Sequence, residues 1–340
     1  MDETDRANQA DAADQALPAD RGPTTRTYAG PEDFAIMSAI ATRSWILGRP
    51  LSSHTAGDIE WWTVNDPDQQ LAGRARLWLL DGEPVGWEWP DPPGAVDWHL
   101  RPGLDRRPYL EPMLDRLEAG AAAAAAAGSE GPVIGLDGRL AQAPIAAATT
   151  WAMDTDTQAV DLLTGRDYAP DGLAHSHWLR RLPSGGGPPI PEVTLPAGYR
   201  HASVRWPDDV PNRAEVHRSA FAPSRMTIEK YRHLIDKPHY DPARDRVIVA
   251  PDGSFAAFAN AWLDSEAQVG ELEPVGTHAD HRRLGLARAV CLEAFRVLDA
   301  AGARECLIFS GRHNVASEAL YESLGCERVS TSRRYAKPVG

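Results

Sequence analysis

Lysine is nearly missing from this chain: Lys230, Lys237 and Lys337 are the whole supply, and arginine carries the remaining positive charge. We attach no function to that bias. Basic residues as a class are also in deficit, 35 against 48 acidic ones, for a formal net charge of −13. That balance leaves no basic face for phosphate backbones and argues against nucleic acid as a partner. A cationic small molecule would be drawn by the same field. Cysteine is scarce too. Cys291, Cys306 and Cys326 are odd in number and lack metal-ligand spacing, which argues against a disulfide framework and predicts reduced, mostly buried thiols. His175 and His177 stand one strand period apart with no partner cluster in the sequence, so no metal site is expected. Although 43% of residues are hydrophobic, no uninterrupted apolar run approaches the ~18 residues of a membrane helix, and no membrane partner is expected. The first residues lack the basic-then-apolar layout of a secretory signal, so a cytoplasmic location is expected. A Gly-Lys-Ser/Thr phosphate loop is missing as well, which sets ATP chemistry aside.

What the chain does have is concentrated near its C-terminus. Gln268 to Thr277 alternates as a strand, and period-2 geometry puts Glu271, Glu273, Val275 and Thr277 on one face. Pro274 has no N–H to give, so the ladder should bulge or part there and leave backbone groups free. From Arg283 onward Leu284, Leu286, Ala289, Val290, Ala294, Val297 and Leu298 recur at helical spacing. The turn Arg282 to Ala287 therefore opens a helix, whose unpaired N–H groups and dipole attract an anion. Gly285 permits close approach of a ligand to the backbone, and Ala287 permits tight packing. A second element runs from Asn314, a capping residue, through Ser317 and Tyr321 to the stop at Gly325.

Strand, Arg-x-x-Gly-x-Ala turn and Asn-x-x-Ser-x-x-x-Tyr-x-x-x-Gly helix together resemble the GNAT superfamily of N-acetyltransferases over roughly residues 190–337. The resemblance implies acetyl-CoA as co-substrate, no metal, and an amine acceptor that is a small molecule. Backbone groups of Val275, Gly276 and Thr277 would pair with the pantetheine arm. The N–H groups of Arg283, Leu284, Gly285, Leu286 and Ala287 would cradle the pyrophosphate, with Arg282 at the position where the family places Gln or Arg and Asn314 and Ser317 beside the cofactor. Tyr321 matches the residue that protonates the leaving thiolate. Glu271 matches the usual base position, Glu273 is the next acid on that strand, and water is a further route for the proton. Two carboxylates so close should raise one another's pKa. Ala279 and Cys326 stand where the family commonly has proline and an aromatic residue. Each position also has a plainer role open to it: a core aromatic for Tyr321, a solvated or arginine-paired face for the glutamates, a helix cap for Asn314.

The length suits two domains of about 150 residues each. Residues 1–26, acidic and alanine-rich, offer too little apolar surface to fix a structure and are expected as a disordered tail. Residues 183–191, rich in Gly and Pro, are expected as a linker. Between them, 27–182 echoes 192–340 faintly. Asp81 to Trp89 parallels Asp252 to Ala259, and Asp156 to Tyr168 parallels Asn314 to Cys326. The first copy has lost the chemistry: Leu163 replaces the tyrosine, Asp156 the asparagine, and Pro108 with Tyr109 crowds the turn. The expectation is an α/β (α+β) protein of two tandem GNAT-like domains, the first degenerate. Each would be a mixed, largely antiparallel twisted sheet flanked by helices, with a V-shaped parting of two parallel strands. Nine of the eleven tryptophans fall in the first half, for core packing or for an acceptor pocket. The functional expectation is amine acetylation, against an acyl-CoA-binding regulatory protein without turnover. The sequence leaves the oligomeric state open.

Overall fold

The structure is a computed structural model that describes residues 22–48, 54–64, 71–91, 93–134 and 140–340. The first half comprises β1 (Thr24–Thr27), α1 (Pro31–Gly48), α2 (Ala56–Trp62), β2 (Arg76–Leu80), β3 (Glu83–Asp91), β4 (Ala95–Leu100), α3 (Arg107–Ala126), β5 (Glu130–Ile134), β6 (Leu140–Pro144), β7 (Ala147–Met153), α4 (Thr157–Gly165) and β8 (Ala169–Arg181). The second comprises β9 (Arg200–Ser203), α5 (Val210–Ala220), α6 (Ile228–Arg232), β10 (Asp245–Val249), β11 (Phe255–Asp264), β12 (Val269–Thr277), α7 (Leu286–Ala300), β13 (Glu305–Gly311), α8 (Val315–Ser323) and β14 (Glu327–Pro338). Apart from the β5–β6 hairpin the two series match element for element, which makes the faint echo in the sequence a repeat of architecture.

The halves do not close separately. Twelve strands form one sheet in the order β1-β2-β3-β4-β7-β14-β8-β13-β12-β11-β10-β9. The chain's last strand, β14, pairs with β7 of the first half, and β8 of the first half pairs with β13 of the second. β14 and β8 also pair with each other. Strands β7 and β13 would each present an open edge in a self-contained half; the exchange covers both. Two of the expected boundaries need correction for related reasons. Thr24, Thr25 and Arg26 belong to a strand paired with β2, and Arg26 bridges Asp33 at 2.5 Å, so ordered structure starts inside the supposed tail. Residues 1–21 lie outside the described residues. The stretch 183–191 is no free tether. Ser184 N–H donates to Asp299 at 2.8 Å, its hydroxyl to the Ala303 carbonyl at 2.5 Å, and Arg180 and Arg296 donate to proline carbonyls along it.

Helix α7 covers one face of the second half. Its Leu286, Ala289, Val290, Phe295 and Leu298 pack on Ala257, Ala259, Ala261 and Leu272 of β11 and β12, the small residues letting the helix approach closely. The opposite face receives α5 and, from the first half, α2. A Cβ on Gly57 would lie 2.5 Å from that of Trp262, so only glycine lets α2 seat there. Glu60 is fully buried and accepts from the backbone N–H and Nδ1 of His239 at 3.1 and 2.6 Å. Thr42 donates to Asp264 at 2.6 Å. Residues 54–62 thus belong in sequence to one half and pack on both, Ile59 against the first-half core and Gly57 against Trp262.

Candidate active site

Strands β12 and β13 are parallel neighbours only from Val269–Glu305 to Glu271–Leu307. Beyond Glu271 they part, while β12 continues to Thr277 on the β11 side. The edge of Val275, Gly276 and Thr277 facing β13 is therefore unpaired by any strand, and the buried hydroxyl of Thr277 has no partner. Pro274 sits at the expected irregularity: the register slips between Ala259 and Ala261, so Glu273 and Pro274 of β12 oppose the single Asn260 of β11. The bulge has a consequence that strict alternation misses. Val275 packs with Leu272 on the α7 face, whereas a Cβ on Gly276 would strike Phe258 on the opposite face. The expected common face of Glu271, Glu273, Val275 and Thr277 is corrected accordingly: the glutamates share theirs with Gly276.

The turn after β12 has a backbone geometry that suits an anion. Arg282, Arg283, Leu284 and Gly285 are exposed, and Arg283 and Gly285 both take left-handed φ, +69° and +73°. That conformation costs a non-glycine residue about 1 kcal/mol, and it turns successive N–H groups into a concave nest. Gly285 caps α7 without a side-chain acceptor, so the helix's first N–H groups stay available beside Leu286 and Ala287. Across the parting, Asn314 accepts from the Ser317 N–H at 3.2 Å and caps α8. Glu318 accepts from Ser310, from Ser176 at 2.9 Å and from Trp178 at 3.1 Å, which fastens α8 to the sheet. Tyr321, on the next turn, is 6% exposed. Burial, more than the neighbouring Cys291 and Glu273, holds its phenol well above the ordinary tyrosine range.

Facing this from the other side is a cluster of acids. Glu271 is 1% exposed and accepts a short hydrogen bond from Thr55, while its second oxygen is buried without a partner. Thr55 also caps α2, accepting from the Asp58 N–H at 3.1 Å. Carboxylate oxygens of Asp58, Glu271 and Glu273 lie within 4.8 Å of one another, a grouping that could hold a cation. The expectation of no metal site rested on histidine and cysteine spacing and did not reach this group. Desolvation first, and mutual repulsion second, push Asp58 and Glu271 well above the usual carboxylate range. Desolvation raises Glu273 to about 7. Glu273 is half-buried, and the Trp262 indole donates to its carbonyl at 2.6 Å.

Glu273 lines two cavities, of about 570 and 820 Å³, and Asp97 and Trp151 line both with it. The sheet curls enough that β4 and β12, on opposite sides of its centre, wall the same space. His54, His99, His175 and His177 meet around the smaller cavity, which corrects the reading of the last two as isolated. Burial holds all four imidazoles neutral, His175 near 4 and His99 and His177 near 3. Trp62, Trp89, Trp98 and Trp151 reach this cavity, and Trp151 stacks on His175 at 4.6 Å. Other tryptophans, Trp45, Trp78 and Trp87, are core.

Residues 198–326 match the model of the acetyltransferase (GNAT) family. The second half is thus similar to the GNAT acetyltransferases, and the chain as a whole has a tandem GNAT fold. Mycothiol acetyltransferase of Thermobispora bispora is 26% identical to it over 219 residues, 60% of this chain and 71% of that protein. Its counterpart from Kineococcus radiotolerans is 33% identical over 112 residues, spanning 33% of this chain and only 36% of the relative. A GCN5-related N-acetyltransferase of Sphaerobacter thermophilus superposes with a TM-score of 0.63 at 17% identity, covering 93% of this chain and 96% of that one. A tandem GNAT protein from the clavulanic acid biosynthesis pathway gives 0.60 at 12%, covering 94% and 99%. At such identities the two structures show the fold alone.

The GNAT architecture makes the contrast between the halves legible. In the first, β4 and β7 are parallel only at Ala95–Thr149 and Val96–Thr150 before parting. There Arg106 reaches across to Asp156 at 2.7 Å and donates to the Arg101 carbonyl, closing the mouth with an ion pair. Sequence reading did not reach Thr55, Asp58 or Asp97 at all. Thr-x-x-Asp before an apolar turn signals a helix start, but nothing in it says where that helix docks.

Proposed function

We propose that the protein transfers acetyl from acetyl-CoA to a primary amine of a small molecule, by direct attack in a ternary complex. One observation supports this most: Glu273 is beside Glu271, within electrostatic reach of Tyr321, and on the wall of both cavities. Base, acid and acceptor space therefore converge on one point. The residues also fit the co-substrate. The Arg283–Gly285 nest and the free N–H groups of α7 suit its diphosphate, and the unpaired edge Val275–Thr277 with the orphaned Thr277 hydroxyl suits its amide arm. Asn314 and Ser317 stand on the opposite wall.

Acetyl-CoA, when bound, supplies the acyl group as a thioester. Glu273 takes a proton from the ammonium, directly or through water, so that the nitrogen lone pair can reach the carbonyl carbon. Sequence reading put Glu271 first; its burial and its bond to Thr55 leave it a positioning part, and the access to both cavities gives Glu273 the part of base. Tyr321 hands its proton to the sulfur as the C–S bond breaks, and its raised pKa keeps that proton in place until then. The second nitrogen proton restores the Tyr321 phenol, and Glu273 gives its proton to solvent. Ammonium and thioester enter; amide, thiol and one proton leave. Cavities of this size take acceptors of drug-like dimensions. The name of the relatives puts mycothiol-type acceptors first among those to try. The test is thiol release from acetyl-CoA across an amine panel, alongside calorimetric titration. Binding without release from any amine would make the protein a sensor and refute the transfer.

A further inference from the structure

The acid cluster holds a residue that belongs to the other half of the chain. Asp58, 4% exposed, reaches Glu271 and Glu273 from α2, and one threonine braces it: Thr55 accepts from the Asp58 N–H and donates to Glu271. Asp97 is close enough to add its own repulsion to Asp58. Among the residues lining the smaller cavity, Arg106 is the permanent cation, and it is engaged by Asp156. The buried second oxygen of Glu271 has no partner. Three carboxylates in a dry enclosure call for protons or a cation. A primary ammonium brings one charge and three N–H donors, one for each acid.

Resting on the acetyltransfer reading above, we propose that Asp58 is a third acid of the amine site: with Glu271 and Glu273 it cradles one primary ammonium. The acceptor is then an amine with no carboxylate beside the nitrogen. A carboxylate on the adjacent carbon would enter the same enclosure of Asp58, Asp97 and the two glutamates, where like charges repel at short range. Free α-amino acids are excluded on that ground, and alkyl, aryl-alkyl or sugar amines are admitted.

The experiment uses the full chain and its Asp58→Asn variant, with steady-state kinetics in both substrates and paired acceptors. The pairs are tyramine against tyrosine, histamine against histidine, and phenethylamine against phenylalanine. Losing one charge-assisted contact should raise KM for an accepted amine about tenfold and leave KM for acetyl-CoA within about twofold. Asp58→Glu should recover part of the loss. In the wild type the decarboxylated member of each pair should be the better acceptor, a comparison that decides the matter even if Asp58→Asn fails to fold. An unchanged amine KM in a folded Asp58→Asn protein overturns the proposal, as does equal use of the amino acids. So does activity that depends on a divalent cation which Asp58→Asn no longer binds. If acetyl-CoA binds and no amine is acetylated, the transfer reading falls and takes the cradle with it. If wild type and Asp58→Asn acetylate alike, only the cradle falls.

Discussion

Glu273 stands near half-protonation at neutral pH because desolvation raises it to about 7. In its proposed role as base it must be ionised, so turnover at saturating acetyl-CoA should climb with pH and reach half its plateau close to 7. Glu273→Gln should flatten that profile and lower kcat by about 100-fold, the usual scale of general-base loss. The same residue affects stability in the opposite sense. Its folded pKa exceeds that of an unfolded glutamate, so the native state binds the extra proton and stability falls as pH rises from about 4.5 to about 7. Denaturant titrations across that window should show Glu273→Gln losing a slope worth on the order of 2 kcal/mol. Tyr321→Phe removes one hydroxyl from a phenol held on a fastened helix. It should lower kcat at least tenfold and leave the Kd for acetyl-CoA unchanged, read by single-turnover kinetics and calorimetry. Tyr321, Glu271 and Glu273 were visible in the sequence because each sits in a local motif. Thr55 and Asp58 were not, since the bond from Thr55 to Glu271 joins residues 216 apart and no local pattern records it.

At the level of elements, the turn between β12 and α7 concentrates its chemistry in backbone rather than side chains. Gly285 has open space around its missing Cβ but a left-handed φ of +73°. Gly285→Val should cost about 1 kcal/mol in stability. It should weaken acetyl-CoA binding by at least about tenfold, because the nest loses its shape. Intact affinity would put the diphosphate elsewhere. Both the turn and the irregularity at Pro274 could be located from residue types alone, since a glycine and a proline each enforce a backbone rule. The switch of face that the irregularity produces could not. It depends on whether the slip falls before or after Glu273, which is decided by Trp262 and Phe258 on the neighbouring strand. Helix α2 shows the same limit from another side: neither its cap at Thr55 nor its destination on Trp262 was reached from the sequence.

For the whole molecule, the repeat was legible in turn residues, yet the joining of its copies into one sheet was not. Strand pairing is set by edges left open in three dimensions, and β7 and β13 reveal theirs only once folded. Removing residues 327–340 should therefore disrupt more than the second half. It would bare β7 and β8 together, and hydrogen exchange should show lost protection in 147–153 and 169–181 as well as near Tyr321. Retained protection in the first half would contradict the exchange. Expressed alone, 27–182 and 192–340 should each be insoluble or pair with a partner copy, and should recover cooperative unfolding when mixed. The crossed strands also fix an order of events in synthesis. During translation the first copy lacks its completing strand until residues 327–338 have cleared the ribosome, so neither copy can mature ahead of the other. Descent is bound by the same crossing, because two copies that trade strands cannot afterwards be parted without baring edges in both.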